Sequence, residues 1–311
     1  MFRILFGQFK PAVLFIAAVV SLGTASVAHA NKAETCYNFL AAQDYPRAAS
    51  EAKMLLKIKG LAREDERSVQ NCLGLAYSAT GRFRDALPAL LRVEALSNST
   101  EGLAGVYMML GMTYQKIGDL NRAELYAQRA VMSYKKLDDK SGESVSLLSL
   151  AELVKIRGDT DRALVLYRES LDLAPNEEGK PTALNNIALI HIQRRELVEA
   201  VKLLREAIDI SRRQSNGHVV AMCQLTLGAA LREQGDFAGA EQELTAGLNA
   251  VQLIGDRGRE ALAYRYLGEL RFRQDRLAEA KNLTQKAIEI SRVNGTMDVL
   301  AVQNLDFFNK Q

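Results

Sequence analysis

The stretch Gly235-Asp236-Phe237-Ala238-Gly239-Ala240 has a close counterpart at Gly118-Asp119-Leu120-Asn121-Arg122-Ala123, and both end on an alanine that recurs along the chain. The series is Ala48, Ala86, Ala123, Ala163, Ala200, Ala240 and Ala280, at intervals of 38, 37, 40, 37, 40 and 40 residues. A period near forty, held over seven copies, marks an array of stacked units that bury their apolar faces on one another. Such an array has no independent fold per unit and no separate catalytic domain.

A second set of marks lies thirteen residues before the last six of these alanines: Leu73-Gly74, Leu110-Gly111, Leu150-Ala151, Ile187-Ala188, Leu227-Gly228 and Leu267-Gly268. Three residues later stand Tyr77, Tyr114, Val154, His191, Leu231 and Arg271. Apolar residues at helical spacing on both sides of a short break describe two amphipathic helices joined by a tight turn. The turn carries Gly81, Gly118, Gly158 or Gly235, and Arg195 or Asp275 in two looser copies. The small residues let the two backbones approach at their crossing. Leu90, Ala127, Tyr167, Leu204 and Leu244 are expected to fill the contact with the next unit. Pro46 suits the first turn of a second helix, where its missing N–H does no harm, and Pro175 is expected to follow the end of another.

The marks Leu-Gly, then Tyr, then Ala, then an aromatic and Pro resemble the tetratricopeptide repeat. The fourth copy carries the tail of that pattern as Gly158-Asp159, Ala163, Tyr167 and Pro175. The spacing of 37–40 exceeds the standard 34, and the added residues amount to about one helical turn. Elongated units of this kind are similar to those of kinesin light chain, most closely at Ala183-Leu184-Asn185-Asn186-Ile187-Ala188. The resemblance implies an all-α, right-handed α-solenoid of about seven helix-turn-helix units, 31–311, with a C-terminal capping helix. Val299–Phe308 supplies the cap, with Leu305 on the Leu mark and Asp306 in the small place, so a polar end is expected.

Residues 1–30 belong to a different class. Arg3 and Lys10 precede the apolar run Ala12-Val13-Leu14-Phe15-Ile16-Ala17-Ala18-Val19-Val20, and Ala28-His29-Ala30 closes the segment. This order reads as a secretory signal peptide cleaved after Ala30, because the run is short for a bilayer span, which needs about 20 residues. An uncleaved anchor is the alternative. Export to a Gram-negative periplasm follows, with no stable membrane span after cleavage.

The whole chain carries a formal +3, and removal of Arg3 and Lys10 leaves 38 basic against 37 acidic residues. A nearly neutral chain has no electrostatic footprint for nucleic acid. Cys36 and Cys72 fall on the first helices of neighbouring units. They read either as a disulfide or as two small buried hydrophobes. Cys223 has no third partner and reads as core. His191 occupies a tyrosine place, His218 lacks a ligand-spaced companion, and no metal-binding or nucleophile motif occurs. The sequence therefore reads as non-enzymatic, with no cofactor and no metal.

The resemblance also implies a partner: a protein or extended peptide on the concave face built from the first helices. Inward places include Met108, Met112, Lys155, Asn185, Leu189, Arg232, Arg265, Glu269 and Arg273. Met108 and Met112, one turn apart, form either an adaptable apolar spot or ordinary packing. In peptide-binding members, asparagines at the places of Asn185 and Asn186 clamp the ligand backbone, whose donors and acceptors an amide matches. Arg232, Arg265 and Arg273 suit a carboxylate. The expected role is a protein-binding scaffold or adaptor in secretion, pilus or envelope assembly. A sensor of a small signal peptide and a self-assembling structural protein are the alternatives.

Overall fold

A computed structural model describes residues 33–174, 177, 179–295 and 297–311. The leader at 1–30 and Pro175 lie outside the described residues. Among those described there are fifteen α-helices and no strand, grouped in two compact units on either side of residue 175.

The first unit contains α1 (Glu34–Ala41), α2 (Tyr45–Leu55), α3 (Arg63–Ala79), α4 (Phe83–Leu96), α5 (Thr100–Ile117), α6 (Leu120–Lys136), α7 (Lys140–Ile156) and α8 (Thr160–Leu173). The second contains α9 (Lys180–Gln193), α10 (Leu197–Arg213), α11 (Gly217–Gln234), α12 (Phe237–Leu253), α13 (Arg257–Arg273), α14 (Leu277–Val293) and α15 (Val299–Asn309). Odd-numbered helices are the first helices of hairpins and even-numbered ones the second, giving the seven pairs and terminal helix that the repeat predicts. Within each unit, each helix packs mainly on its chain neighbours. Within the units, first helices also touch the next first helix, as in α1 with α3, α9 with α11, and α11 with α13.

The Gly-Asp pair at the turn does two jobs in two residues. Gly118 and Gly235 end α5 and α11 in the left-handed conformation, at φ +94° and +88°, where a side chain is disfavoured. The following aspartate opens the next helix: Asp119 accepts from the Arg122 N–H at 3.1 Å and Asp236 from the Gly239 N–H at 2.9 Å. In the two looser copies Arg195 and Asp275 adopt the same backbone, at φ 63° and 61°. The turn geometry is thus kept without the glycine. Pro46 stands in the first turn of α2, as expected.

All seven ruler alanines are completely buried. A Cβ added to Gly228 would stand 3.1 Å from the Ala240 carbonyl oxygen and 2.5 Å from Leu244 Cγ. One added to Gly111 would stand 3.4 Å from the Ala123 carbonyl. The two sets of marks are therefore one contact, in which a small residue of the first helix rests on the alanine turn of the second. This also changes the place assigned to Leu90, Ala127 and Leu244. They pack on Gly74, Gly111 and Gly228 of their own hairpins, which is where the missing side chain leaves room.

Cys36 and Cys72 form a disulfide that joins α1 to α3, with both residues fully buried. The eight-residue α1 is too short to persist alone, and the Tyr37 hydroxyl adds a hydrogen bond to the Ser68 carbonyl at 3.2 Å. Cys223 is core, and burial pushes its thiol up to about 12. The terminal helix departs from the expected polar cap. Asp306 is exposed, but so are Val299, Leu300 and Phe307.

Two outcomes follow from this packing. Ala240→Leu forces α11 and α12 apart and lowers stability by about 1–3 kcal/mol in chemical denaturation. Reducing the Cys36–Cys72 bridge, which spans 36 residues, costs the first unit about 3–4 kcal/mol by loop entropy. Hydrogen exchange should then accelerate in α1 and not in the second unit.

Candidate functional site

The inner places of α9, α11 and α13 line a hollow of about 310 Å³ in the second unit. Leu189, Ile192, Ala229 and Tyr266 give it an apolar floor, and Gln193, Arg195, Arg232, Glu233, Arg265 and Glu269 surround that floor with polar groups. One helical turn separates Ile192 from Leu189 and Arg232 from Ala229, so every first helix contributes a floor residue or a charge in the same register.

The charges around the hollow are already paired. Glu269 accepts from Arg232, from Arg265 Nη1 at 2.8 Å and from the Asn304 amide at 2.8 Å. Glu233 pairs with Arg232 Nη2 at 3.0 Å, with Arg195, and with Arg273 at 3.6 Å. Arg265 also donates through Nε to Asp298 at 3.2 Å, the residue that caps α15. The guanidinium carbons of Arg265 and Arg232 lie 4.8 and 5.8 Å from the Tyr266 ring centre. Four arginines thus share three carboxylates along four successive helical pairs or caps. Burial would raise the Glu233 carboxyl, but hydrogen bonds from Arg232 and Arg195, with the nearby Arg232 and Arg273 charges, hold it below the usual carboxylate range. Burial raises the Tyr266 hydroxyl above its ordinary value.

Leu189, Arg232 and Arg265, read from the sequence as inward-facing, come together here. Arg232 and Arg265 differ from the expectation in one respect. Each is only 9% exposed and is neutralised by the chain's own carboxylates, so neither is a bare anion clamp. Asn185 is buried in α9, and its side-chain oxygen has no hydrogen-bond partner; Asn186 is partly exposed. Neither asparagine lines the hollow.

The remaining predicted residues lie in the first unit. Met108 is buried with Ala104, Ala130 and Tyr134. With Met112, Gln115, Ser146 and Ser149 it borders a small, mostly apolar depression. Lys155 stands apart from that depression, 2.7 Å from Glu152 and 5.9 Å from the Tyr167 ring centre. His191 is bonded to Glu196, and His218 faces Arg259 and Asp256. Among the described residues no three metal-ligating side chains converge, and no helix is long and apolar enough to cross a membrane.

Sequence reasoning missed Arg195, Glu233, Tyr266, Asp298 and Asn304 as members of the site. A signal existed for the ion pairs: Arg195 and Glu233, and Arg232 and Glu269, are opposite charges 38 and 37 residues apart, one repeat length.

Paired helices stacked in register, with a polar-rimmed hollow on the first-helix side of the second unit, define an all-helical repeat protein. Sequence profiles described as tetratricopeptide repeat match residues 104–137, 180–253 and 225–291, and the chain is a tetratricopeptide repeat protein. Protein KINESIN LIGHT CHAIN-RELATED 2 of Arabidopsis thaliana is 27% identical over 133 residues, which are 40% of this chain and 20% of that protein. The chain therefore matches about a fifth of that relative's length. Among solved structures, the apo form of the quorum sensor NprR from B. thuringiensis superposes with a TM-score of 0.69 at 14% identity, covering 96% of this chain and 92% of that one. A tetratricopeptide repeat protein from Parabacteroides merdae superposes with 0.63 at 15% identity, covering 88% and 96%. These structures share the fold, and tetratricopeptide repeats are as a rule protein-binding scaffolds.

Because the folded Glu233 carboxyl lies below its unfolded value, its contribution to stability is present above the ordinary carboxylate pKa of about 4.3 and is lost as pH falls through the folded value. Denaturation midpoints measured from pH 7 down to strongly acid conditions should fall less steeply for Glu233→Gln than for the unaltered protein.

Proposed function

We propose that the chain is an exported, non-catalytic scaffold or adaptor of the cell envelope that holds a protein or extended peptide against the first-helix face of its second unit. The observation that carries this reading is the hollow between α9, α11 and α13. Its apolar floor can take a side chain. Its guanidinium groups keep N–H donors beyond those already spent on Glu233, Glu269 and Asp298, and these suit the carbonyls of an extended segment. Leu189 and Tyr266 supply the floor contact, and Arg232 and Arg265 the polar contact. Pairing with carboxylates fixes the guanidinium planes in advance, which lowers the ordering cost of binding.

Two features support export. Residues 1–30 have the order of a cleavable leader. A fully buried Cys36–Cys72 bridge also suits an oxidising compartment such as the periplasm. A role in secretion, pilus or envelope assembly fits that compartment. The non-catalytic reading rests on the repeat architecture, in which every helix pair is used in stacking. A sensor of a small signal peptide is the second reading, supported through architecture by the fold shared with the quorum sensor NprR. On that reading added peptide compacts the protein in solution scattering, whereas a rigid scaffold keeps its dimensions.

The face itself is tested by placing a photoreactive residue at position 189, in the hollow, and at position 198, an exposed site on the second helix α10. In intact cells the first should give a discrete crosslinked species and the second should not. Equal crosslinking from both, or from position 198 alone, would overturn the assignment.

A further inference from the structure

We infer that the outer face of the first unit, centred on α6, docks on an anionic phospholipid surface. This does not rest on what the hollow binds.

The chain as a whole is nearly neutral, but its exposed charges are segregated. On α2, α4 and α6, the second helices of the first three hairpins, the one exposed carboxylate is Asp85, and Arg82 pairs with it at 2.7 Å. The next second helix, α8, exposes Asp161, Glu169 and Asp172, and α10 exposes Glu206 and Asp209. Cations dominate the first three. Lys57 and Lys59 in the turn after α2, Arg84 on α4, and Lys135 and Lys136 on α6 are exposed and have no ion-pair partner among the described residues. Asp138 and Asp139, just beyond α6, are already engaged: Lys140 lies 3.1 Å from the first, and the second accepts from the Gly142 N–H at 2.9 Å.

Apolar side chains stand inside this cationic field. On α6, Arg122, Leu125, Arg129, Met132 and Lys136 succeed one another at three or four residues, and so share one face of the helix. Leu125 and Met132, 45% and 70% exposed, run along its middle. Arg122, Arg129 and Lys136 flank them on one side and Lys135 on the other. The face adjoins α4, because Arg129 lies 3.4 Å from Glu94 and the Tyr126 hydroxyl donates to the same carboxylate at 2.9 Å. There Leu91 is also exposed. The exposed Met54 of α2 stands six places after its ruler alanine, as Arg92 and Arg129 do after theirs, so it occupies the same outward place of the repeat.

An apolar stripe with cations on both flanks matches the boundary between lipid headgroups and acyl chains. Lysine and arginine lay their stems along apolar surface and keep their charges at phosphate level, while Leu125 and Met132 enter the apolar layer beneath. A nucleic-acid backbone would answer the cations and leave the two apolar side chains in water. The contact is peripheral. The opposite side of α6 is spent on its own unit, where Tyr126, Ala130 and Tyr134 are buried, and no described helix is long and apolar enough to cross a membrane. The helix therefore lies along the surface.

An environment-sensitive dye on Met132→Cys reads the contact locally in the purified protein. Cys223 is buried and Cys36 is bonded to Cys72, so the new thiol takes the label. Fluorescence should rise and shift to the blue with vesicles of mixed phosphatidylcholine and phosphatidylglycerol, and stay unchanged with phosphatidylcholine alone. The same dye at Val198→Cys, an exposed place on α10, should not respond. Lys135→Gln combined with Lys136→Gln should raise the vesicle concentration at half response about tenfold or more, since each cation beside an anionic surface is worth about fivefold. Leu125→Ser should raise it about threefold or more through lost apolar contact. No response at position 132 to the anionic vesicles would overturn the inference, as would an equal response at position 198 or to neutral lipid. An unaltered midpoint in the double lysine variant, with a normal thermal melt, would also overturn it. So would a response to polyglutamate in place of vesicles, which would assign the face to an acidic protein.

Discussion

Every hairpin depends on one steric constraint: two helices can cross closely only where a small residue on one rests against the alanine turn of the other. At Gly228 and Ala240 a single added carbon would collide with Leu244 and crowd the Ala240 carbonyl. Close approach fixes the crossing, and the crossing fixes which face of each first helix turns outward from its partner. The apolar residues that bury at this contact, such as Leu90, Leu204 and Leu244, then provide the hydrophobic driving force. The position of the hollow is a consequence of that geometry, since Leu189, Ala229 and Glu269 all stand two places after a Leu mark.

Electrostatics act on a second level, between hairpins. Arg232 and Glu269, and Arg195 and Glu233, join consecutive repeats, and Arg265 reaches the cap of α15. Buried ion pairs of this type add little net stability, because desolvation offsets their attraction. What they supply is register and orientation. Tyr266 lies beside two guanidinium groups, each held by two carboxylates: Arg232 by Glu233 and Glu269, and Arg265 by Glu269 and Asp298. The polar rim of the hollow is therefore preformed.

Much of the fold was legible in the sequence because it depends on backbone approach, which restricts residue type severely. Ala48 to Ala280, the Gly-Asp turns and Pro46 could be read directly. Arg195 and Asp275 were legible as turns by register, although only the aspartate is among the non-glycine residues that tolerate the left-handed conformation well. The Cys36–Cys72 bond was left open because spacing along a helix pair does not set a distance between sulfurs. The site was less legible. Asn185 was placed on the correct helix, but a small rotation of α9 decides whether its amide meets solvent or packing. Arg232 and Arg265 were located without their pairing: Glu233 is next to Arg232 and Glu269 one turn after Arg265, whereas the Arg232–Glu269 and Arg265–Asp298 contacts, 37 and 33 residues apart, form only when first helices stand side by side. Tyr266 was not legible because its place, one before the Leu mark, carries Asn186 and Thr226 in the two preceding copies.

The central claim is that a partner lies against the first helices of the second unit. Hydrogen exchange of the protein, free and with its captured partner, tests that claim most directly. Slowed exchange confined to α9, α11 and α13, with α10, α12 and α14 unchanged, is the predicted result. Slowing confined to the second helices, or none in this unit, would contradict it.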